Sequence, residues 1–174
     1  MDVILKHEPM TIPTYEPYAA NTLPFFLEKK AYQGATGRIY PVPYTDRLSN
    51  EPVNKDYDSY TLENEHVKVV LLPELGGKIH GAVDKHNNYE FIYQNTVIKP
   101  AMVGIAGPWV SGGVEFNWPQ HHRPTTFMPL EATLKKNADG SVTVWMGEAE
   151  PFHRMRGMVG ITVYPGRSYV EAKA

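Results

Sequence analysis

The sequence predicts an all-β protein, built as an antiparallel sandwich or barrel, and three observations support this prediction. Segments that alternate apolar and polar residues recur along the chain, and compact turn signals separate them. No run of helical periodicity longer than two turns occurs. The 174 residues include 14 Gly and 15 Pro, a share above average usage that favours many short elements over a few long helices.

Residues 1–58 are predicted to form an extended, irregular arm rich in prolines and aromatic rings. Seven prolines fall within it, and each removes a backbone donor and disfavours helix in the residue before it. Aromatic side chains from Tyr15 to Tyr40 punctuate the same stretch. Because exposed rings are unfavourable, we expect the arm to lie along a sheet edge or against a neighbouring chain.

Residues 59–174 are predicted to form the antiparallel sheet portion. The first strand is expected at residues 67–72, where apolar residues alternate and both faces become apolar near the end. A turn built on Gly76 and Gly77 follows, since glycine adopts positive φ without steric cost. Further strands are expected at residues 78–83 and 90–93.

The last third of the chain is predicted to be an antiparallel meander. Residues 137–140 read Asn-Ala-Asp-Gly, a strong turn signal, and strands are expected at residues 141–147, 158–164 and 168–174. The last strand still alternates where the sequence stops, so the sandwich is expected to be truncated at its C-terminus. We therefore expect self-association, either through this exposed edge strand or through the N-terminal arm.

Composition and charge exclude several functions. Seventeen basic and nineteen acidic residues give a net charge of −2, without the basic stripe that nucleic-acid binding requires. Cysteine is absent, which excludes disulfide scaffolds and Cys-ligated zinc. The longest uncharged stretch, residues 100–114, is too short for the roughly 20 residues of a spanning helix. With no signal peptide at the start, the sequence predicts a cytoplasmic protein with neither nucleic-acid nor membrane partners.

One segment, residues 100–129, combines residues that suit carbohydrate binding. Indole rings can stack on the C–H face of a sugar, while amides, carboxylates and guanidinium groups pair with its hydroxyls. The alternative is a purely structural role, in which this segment is a long ordered loop whose tryptophans pack in the core and whose polar groups form hydrogen bonds with the backbone. The candidate residues in this segment are Trp109, Glu115, Asn117, Trp118, Gln120, His121, His122 and Arg123.

Glu115 and one of two adjacent histidines form the candidate acid–base pair. Glu115 and His121 are six residues apart, which a straight strand would stretch to about 20 Å. Pro119 argues against a straight strand, so the pair depends on a bend there. His121 and His122 point to opposite sides of an extended chain, and only one of them is expected to face a given pocket.

Other chemistries are less well supported by the sequence. A metal site could draw on His80, His121, His122 and Glu115, but the local ligand pairs typical of zinc sites are missing. Ser111 precedes two glycines without the strand-to-helix context of a nucleophile elbow. The sequence therefore predicts neither a metal nor a cofactor.

Residues 72–79 read Leu-Pro-Glu-Leu-Gly-Gly-Lys-Ile, which resembles the strand–turn–strand of galactose-mutarotase-like sandwiches, the aldose 1-epimerase superfamily. The chain more closely resembles a bacterial family of unknown function whose members carry this domain ahead of tetratricopeptide repeats. The matching pieces include residues 31–34, 40–43, 62–65, 97–101 and 107–127. The resemblance implies that the chain is the N-terminal part of a carbohydrate-binding β-supersandwich.

The resemblance also implies acid–base chemistry, with a His as general acid and a carboxylate as general base on the sugar. Lys78 stands where aldose epimerases often have an Arg that binds sugar hydroxyls, while Ser111 replaces one of their histidines. We interpret the chain as the carbohydrate-binding portion of a glycoside-processing or epimerase-like enzyme, inactive by itself. The alternative is a non-catalytic glycan-binding or regulatory module docked to a repeat domain.

Overall fold

The computed structural model describes residues 2–20, 41–104, 106–118, 124–151 and 153–174, and all structural statements concern these residues. They form eleven strands in three antiparallel sheets, which confirms the predicted all-β sandwich class. The five-stranded sheet has the order β1-β2-β3-β4-β5, the four-stranded sheet β11-β10-β9-β8, and β6 pairs with β7. The strands are β1 (Ile4–Thr14), β2 (Val53–Glu63), β3 (Val67–Leu72), β4 (Lys78–Asp84), β5 (Tyr89–Ile92), β6 (Ala101–Gly104), β7 (Gly107–Trp109), β8 (Glu131–Lys136), β9 (Val142–Ala149), β10 (Arg156–Val163) and β11 (Val170–Lys173).

Regular sheet begins earlier than the predicted boundary between residues 58 and 59. β1 lies inside the segment expected to be an irregular arm and pairs along its whole length with β2. Pro9 and Pro13 fit there because β1 is an edge strand, where a proline lacking its N–H does not break a ladder. Asp58, opposite Pro9, donates its N–H to the Glu74 carboxylate at 2.8 Å, on the side of β2 away from β1. The two prolines interrupt the apolar–polar alternation of β1, and the sequence analysis therefore did not predict a strand there.

The predicted turn between β3 and β4 is confirmed as a short 3₁₀ turn, Pro73–Leu75. Gly76 ends it with a φ of 72°, and Gly77 follows at 68°, so both glycines occupy the left-handed region that other residues disfavour. The space beside Gly76 is also filled, because a Cβ there would lie 2.5 Å from the Thr126 carbonyl oxygen. The turn therefore packs directly against the backbone at Thr126.

The four-stranded sheet confirms the predicted meander and adds β8, which the sequence analysis did not predict. The turn at residues 137–140 joins β8 to β9, and Gly140 has a φ of 81°. β8 was missed because it reads Glu-Ala-Thr-Leu-Lys-Lys, with only one large apolar side chain to mark an alternation. Its pairing with β9 along six residues defines the strand instead.

The main core lies between the five-stranded and four-stranded sheets. It is formed by the inward residues of both sheets, which alternate with outward residues as the strand period requires. Twelve of these side chains expose 5% or less of their surface: Leu62, Val67, Val69, Leu71, Ile79, Ala82, Val142, Val144, Met146, Val159, Ile161 and Val163.

A second, smaller core covers the opposite face of the five-stranded sheet. Leu72 and Tyr57 of the sheet pack there against Ile98 and Val110 from the segment that follows β5. This segment is tied to β1 by two backbone hydrogen bonds, Ile98 N–H to the Pro13 carbonyl and Tyr15 N–H to the Ile98 carbonyl, both 2.9 Å. The covered face is where the candidate site forms. Within the described residues, no helix has the length and apolarity needed to cross a membrane.

Candidate functional site

The candidate site is built where the chain after β7 returns to the start of β4. Ile79 and Val114 form an antiparallel bridge, with N···O distances of 3.2 and 2.8 Å. Val114 packs against the main core, so strand alternation turns the next residue, Glu115, to the opposite side. Lys78 lies on that same side because its neighbour Ile79 faces the core. The bridge therefore brings Lys78 and Glu115 to one face of the sheet.

The Glu115 carboxylate is the centre of this site. The Trp109 indole Nε1–H donates to its Oε2 at 2.7 Å, and the Asn117 amide Nδ2 donates to its Oε1 at 2.8 Å. Both carboxylate oxygens are thus fixed by protein donors. The structure brings together three residues that the sequence analysis selected: Trp109, Glu115 and Asn117. Glu115 and Asn117 are two residues apart, so strand alternation places both on the same face.

Lys78 is buried beneath the loop that carries these residues, with 3% of its surface exposed. Its Nζ donates to the carbonyl oxygens of Val110 at 3.1 Å and Ser111 at 3.2 Å. Burial lowers the pKa of Lys78 to about 8, and the Glu115 charge opposes this shift. The amine therefore binds backbone carbonyls of the loop, whereas the sequence analysis selected Lys78 as a sugar contact.

His80 is the second buried basic residue at this end of β4. It exposes 3% of its surface, and burial together with the Lys78 charge lowers its pKa to about 4. It is therefore neutral at neutral pH. His80 is the extra residue of a β-bulge in β4, since its neighbours Ile79 and Gly81 pair with the consecutive residues Leu71 and Val70 of β3.

The turn at residues 111–113 shapes the loop through close backbone contacts. Gly113 has a φ of 66°, and a Cβ there would lie 2.0 Å from the Ile79 carbonyl oxygen. The Gly113 N–H donates to the Tyr93 carbonyl at 2.8 Å. Asn95 Nδ2 donates to the Ser111 carbonyl at 2.7 Å and to its Oγ at 3.1 Å. Only glycine fits at residue 113.

Trp118 lies apart from the Glu115 carboxylate. It packs against the main core, and a Cβ on Gly157 of β10 would lie 2.0 Å from its Nε1. Alternation from Val114 through Phe116 turns all three side chains to the core. Trp118 therefore packs against the main core beside β10, in agreement with the packing alternative for this residue.

Four of the selected residues, Gln120, His121, His122 and Arg123, lie outside the described residues. Both flanks of that stretch are anchored. Trp118 lies on Gly157, and beyond the stretch Thr125 Oγ1 donates to Glu148 at 2.5 Å. The pairing of Glu115 with one of the histidines stays a prediction. Among the residues with described positions, no group of three His, Cys, Asp or Glu could hold a metal ion.

Two residues of the site were missed in the sequence analysis. His80 was considered there only as a metal ligand, and Asn95 was not singled out at all. The signal for His80 was its position two residues after Lys78 on a strand, which places both on one face. For Asn95 the sequence holds no comparable signal, because its contact with Ser111 spans 16 residues across a loop.

The fold and the site define a class of protein: an antiparallel sandwich with a carboxylate-centred polar cluster on the face of the five-stranded sheet opposite the main core. The chain belongs to the family described as a domain of unknown function, DUF5107, which matches residues 35–174. It is also similar to a TPR-domain containing protein from Parabacteroides distasonis, known from a crystal structure, with 26% identity and a TM-score of 0.86. That similarity covers 98% of this chain, which spans 28% of the length of that protein.

Proposed function

We propose that the chain is the carbohydrate-binding part of a sugar-active protein, with Glu115 at the centre of the binding site. The observation that carries this proposal is the fixation of both Glu115 carboxylate oxygens, by Trp109 at 2.7 Å and Asn117 at 2.8 Å. A carboxylate held in one orientation is prepared for directional hydrogen bonds from a ligand.

A sugar suits this arrangement because its hydroxyls donate to a carboxylate while its C–H face packs on an aromatic ring. Trp109 and Glu115 supply these two features side by side, since the indole N–H itself contacts the carboxylate. Lys78 supports the arrangement from below by holding the carbonyl groups of Val110 and Ser111. Gln120 and Arg123 are proposed as further sugar contacts.

The catalytic part of the proposal concerns the intact protein. Glu115 acts as general base on the anomeric hydroxyl of a sugar, and His121 or His122 acts as general acid on the ring oxygen. The proton leaves the hydroxyl as the other group protonates the ring oxygen, so the ring opens and can reclose or react further. In glycoside hydrolysis the histidine protonates the leaving glycosidic oxygen, while Glu115 takes a proton from the water that attacks the anomeric carbon, so that the glycosidic bond breaks as the new C–O bond forms.

A binding or regulatory role is the second candidate, and the similar protein favours it. That protein is described by its TPR domain, and helical repeats of this kind form extended concave binding surfaces. In this case the sandwich would recognise a glycan without transforming it.

The two candidates are separated by a Glu115→Gln variant, which keeps the shape of the side chain and removes its charge. The intact protein is tested on a panel of reducing sugars and neutral oligosaccharides, for binding by calorimetry and for product by chromatography. An enzyme loses turnover in Glu115→Gln, and His121→Gln or His122→Gln reproduces the loss. A binding module binds without forming product in any variant.

The matched control is Glu90→Gln, which changes an exposed carboxylate on β5 and should leave both readouts unchanged. Binding that survives Glu115→Gln and Trp109→Ala at wild-type affinity would refute the proposed site. The absence of both binding and product across the panel would refute the carbohydrate function itself.

A further inference from the structure

The outer face of the four-stranded sheet carries a polar trough that is separate from the Glu115 site. The trough has a volume of about 450 Å³ and lies on the side of the sheet that faces away from the main core. Trp145 lines this trough and also lines a second depression of about 380 Å³. The two hollows thus share the Trp145 side chain.

The Trp145 indole lies flat against the sheet. It pairs with Gly160 on β10, and a Cβ on that glycine would lie 2.8, 2.8 and 2.9 Å from three ring atoms. These nearly equal distances place the glycine under one face of the ring. The ring is partly buried in this position, so its opposite face is directed away from the sheet.

The floor of the trough is lined by hydroxyl groups. Thr143 and Thr162 pair across β9 and β10 with 2.8 Å between their Oγ1 atoms, and they expose 4% and 5% of their surfaces. Asn137 Nδ2 donates to Thr143 Oγ1 at 2.9 Å. The hydrogen bond between the two hydroxyls uses only one of their two hydrogens. The other hydroxyl hydrogen can donate to a ligand oxygen.

The walls carry equal numbers of opposite charges. Lys135 rises from β8 on one side, and Glu171 and Lys173 rise from β11 on the other, while Asp139 lies at the end with the turn. Tyr164 donates to Glu171 at 2.5 Å and fixes that carboxylate. A lining without net charge disfavours phosphates and polyions, whose binding depends on a charge of one sign.

We propose that this trough binds a neutral linear oligosaccharide, which stacks on Trp145 and extends into both hollows that this side chain lines. A flat aromatic face, buried hydroxyls and balanced charges match the C–H face, the hydroxyls and the neutrality of such a ligand. The two hollows that share Trp145, of about 450 and 380 Å³, provide room for more than one sugar unit. None of the residues of the Glu115 site takes part, so this proposal holds or fails independently of the proposed function.

The test is an NMR titration of the chain with neutral linear hexasaccharides of gluco, xylo and manno configuration, up to about 10 mM, a range that detects weak affinities. We expect at least one of them to shift the Trp145 indole resonance. Trp145→Ala should weaken binding by about tenfold, and Trp145→Phe by less. Thr162→Val, which keeps the shape and removes the hydroxyl, should weaken it by about fivefold. Tyr89→Ala, at an exposed ring of the other sheet, is the control.

Three results would overturn the proposal. One is the absence of any shift at Trp145 with all the hexasaccharides. Another is binding that Trp145→Ala and Thr162→Val leave at wild-type strength. The third is a shift of the Trp145 resonance that follows protein concentration in the absence of sugar, because this would identify a second copy of the chain as the occupant. Thr162→Val keeps the test decisive if Trp145→Ala fails to fold.

Discussion

Replacement of Lys78 by Met tests whether a buried amine supports the site. Met has nearly the same length and flexibility, so the variant removes the charge and the two hydrogen bonds to Val110 and Ser111 while it fills the same space. The variant also removes the titration of a group whose pKa is lowered to about 8 in the folded protein.

The magnitude follows from that pKa. An unfolded chain holds the Lys proton up to a pKa near 10.4, so between pH 8 and about 10.4 the unfolded state binds more protons than the folded state. The stability of the native protein therefore rises with pH in this window. Between pH 7.5 and 10 the Lys78 contribution amounts to about 2 kcal/mol, and the Lys78→Met variant should lack it.

The assay is urea unfolding of native protein, Lys78→Met and Lys68→Met at pH 7.5 and at pH 10. Lys68 is an exposed residue of β3 and serves as the control. Because other groups, such as the tyrosines, also titrate in this range, the relevant quantity is the difference between native and variant proteins at each pH. If Lys78→Met and the native protein change stability equally between the two pH values, the account of a buried amine at residue 78 is wrong.

Two further predictions concern the neighbouring residues. Because the pKa of His80 is lowered to about 4, the native protein should lose about 2 kcal/mol of stability between pH 6.5 and 4.5. The His80→Gln variant should lose less stability over this pH range, measured by unfolding at each pH. An equal loss in variant and native protein would contradict the burial of a neutral imidazole. Gly113→Ala should cost more stability than Gly140→Ala by thermal unfolding, and equal costs would argue against the close packing of the loop. Both positions have positive φ, with a strain of about 1 kcal/mol each, but only at Gly113 would the new Cβ lie 2.0 Å from a carbonyl oxygen.

The fold was largely predictable from the sequence because its signals are local. β3, β4, β9 and β10 have alternating apolar residues, and glycines mark the turns that precede β4 and β9. β1 and β8 were not predicted as strands, because their pairing partners define them rather than their own patterns. Two prolines hide the alternation of β1, and β8 has few apolar residues. Such edge strands depend on contacts that are distant in sequence.

The site was predictable in part for the same reason. Glu115 and Asn117 were selected for their chemistry, and their position two residues apart places them on one face. The contact of Trp109 with Glu115 and the burial of Lys78 depend on the return of the loop to β4 through the bridge at Ile79. This return spans 35 residues between Ile79 and Val114, and no local pattern encodes it.

The central claim is that the cluster around Glu115 binds a sugar, and the Trp109 indole N–H reports on it directly. The chain has three tryptophans, so three indole resonances can be assigned by single Trp→Phe replacements and followed by NMR as sugars from the panel are added. Because the Trp109 N–H donates to the Glu115 carboxylate, a ligand that contacts this carboxylate should shift the Trp109 resonance, and Glu115→Gln should abolish the response. The absence of a Trp109 shift with every sugar of the panel, or a Trp109 shift that Glu115→Gln leaves unchanged, would contradict the claim.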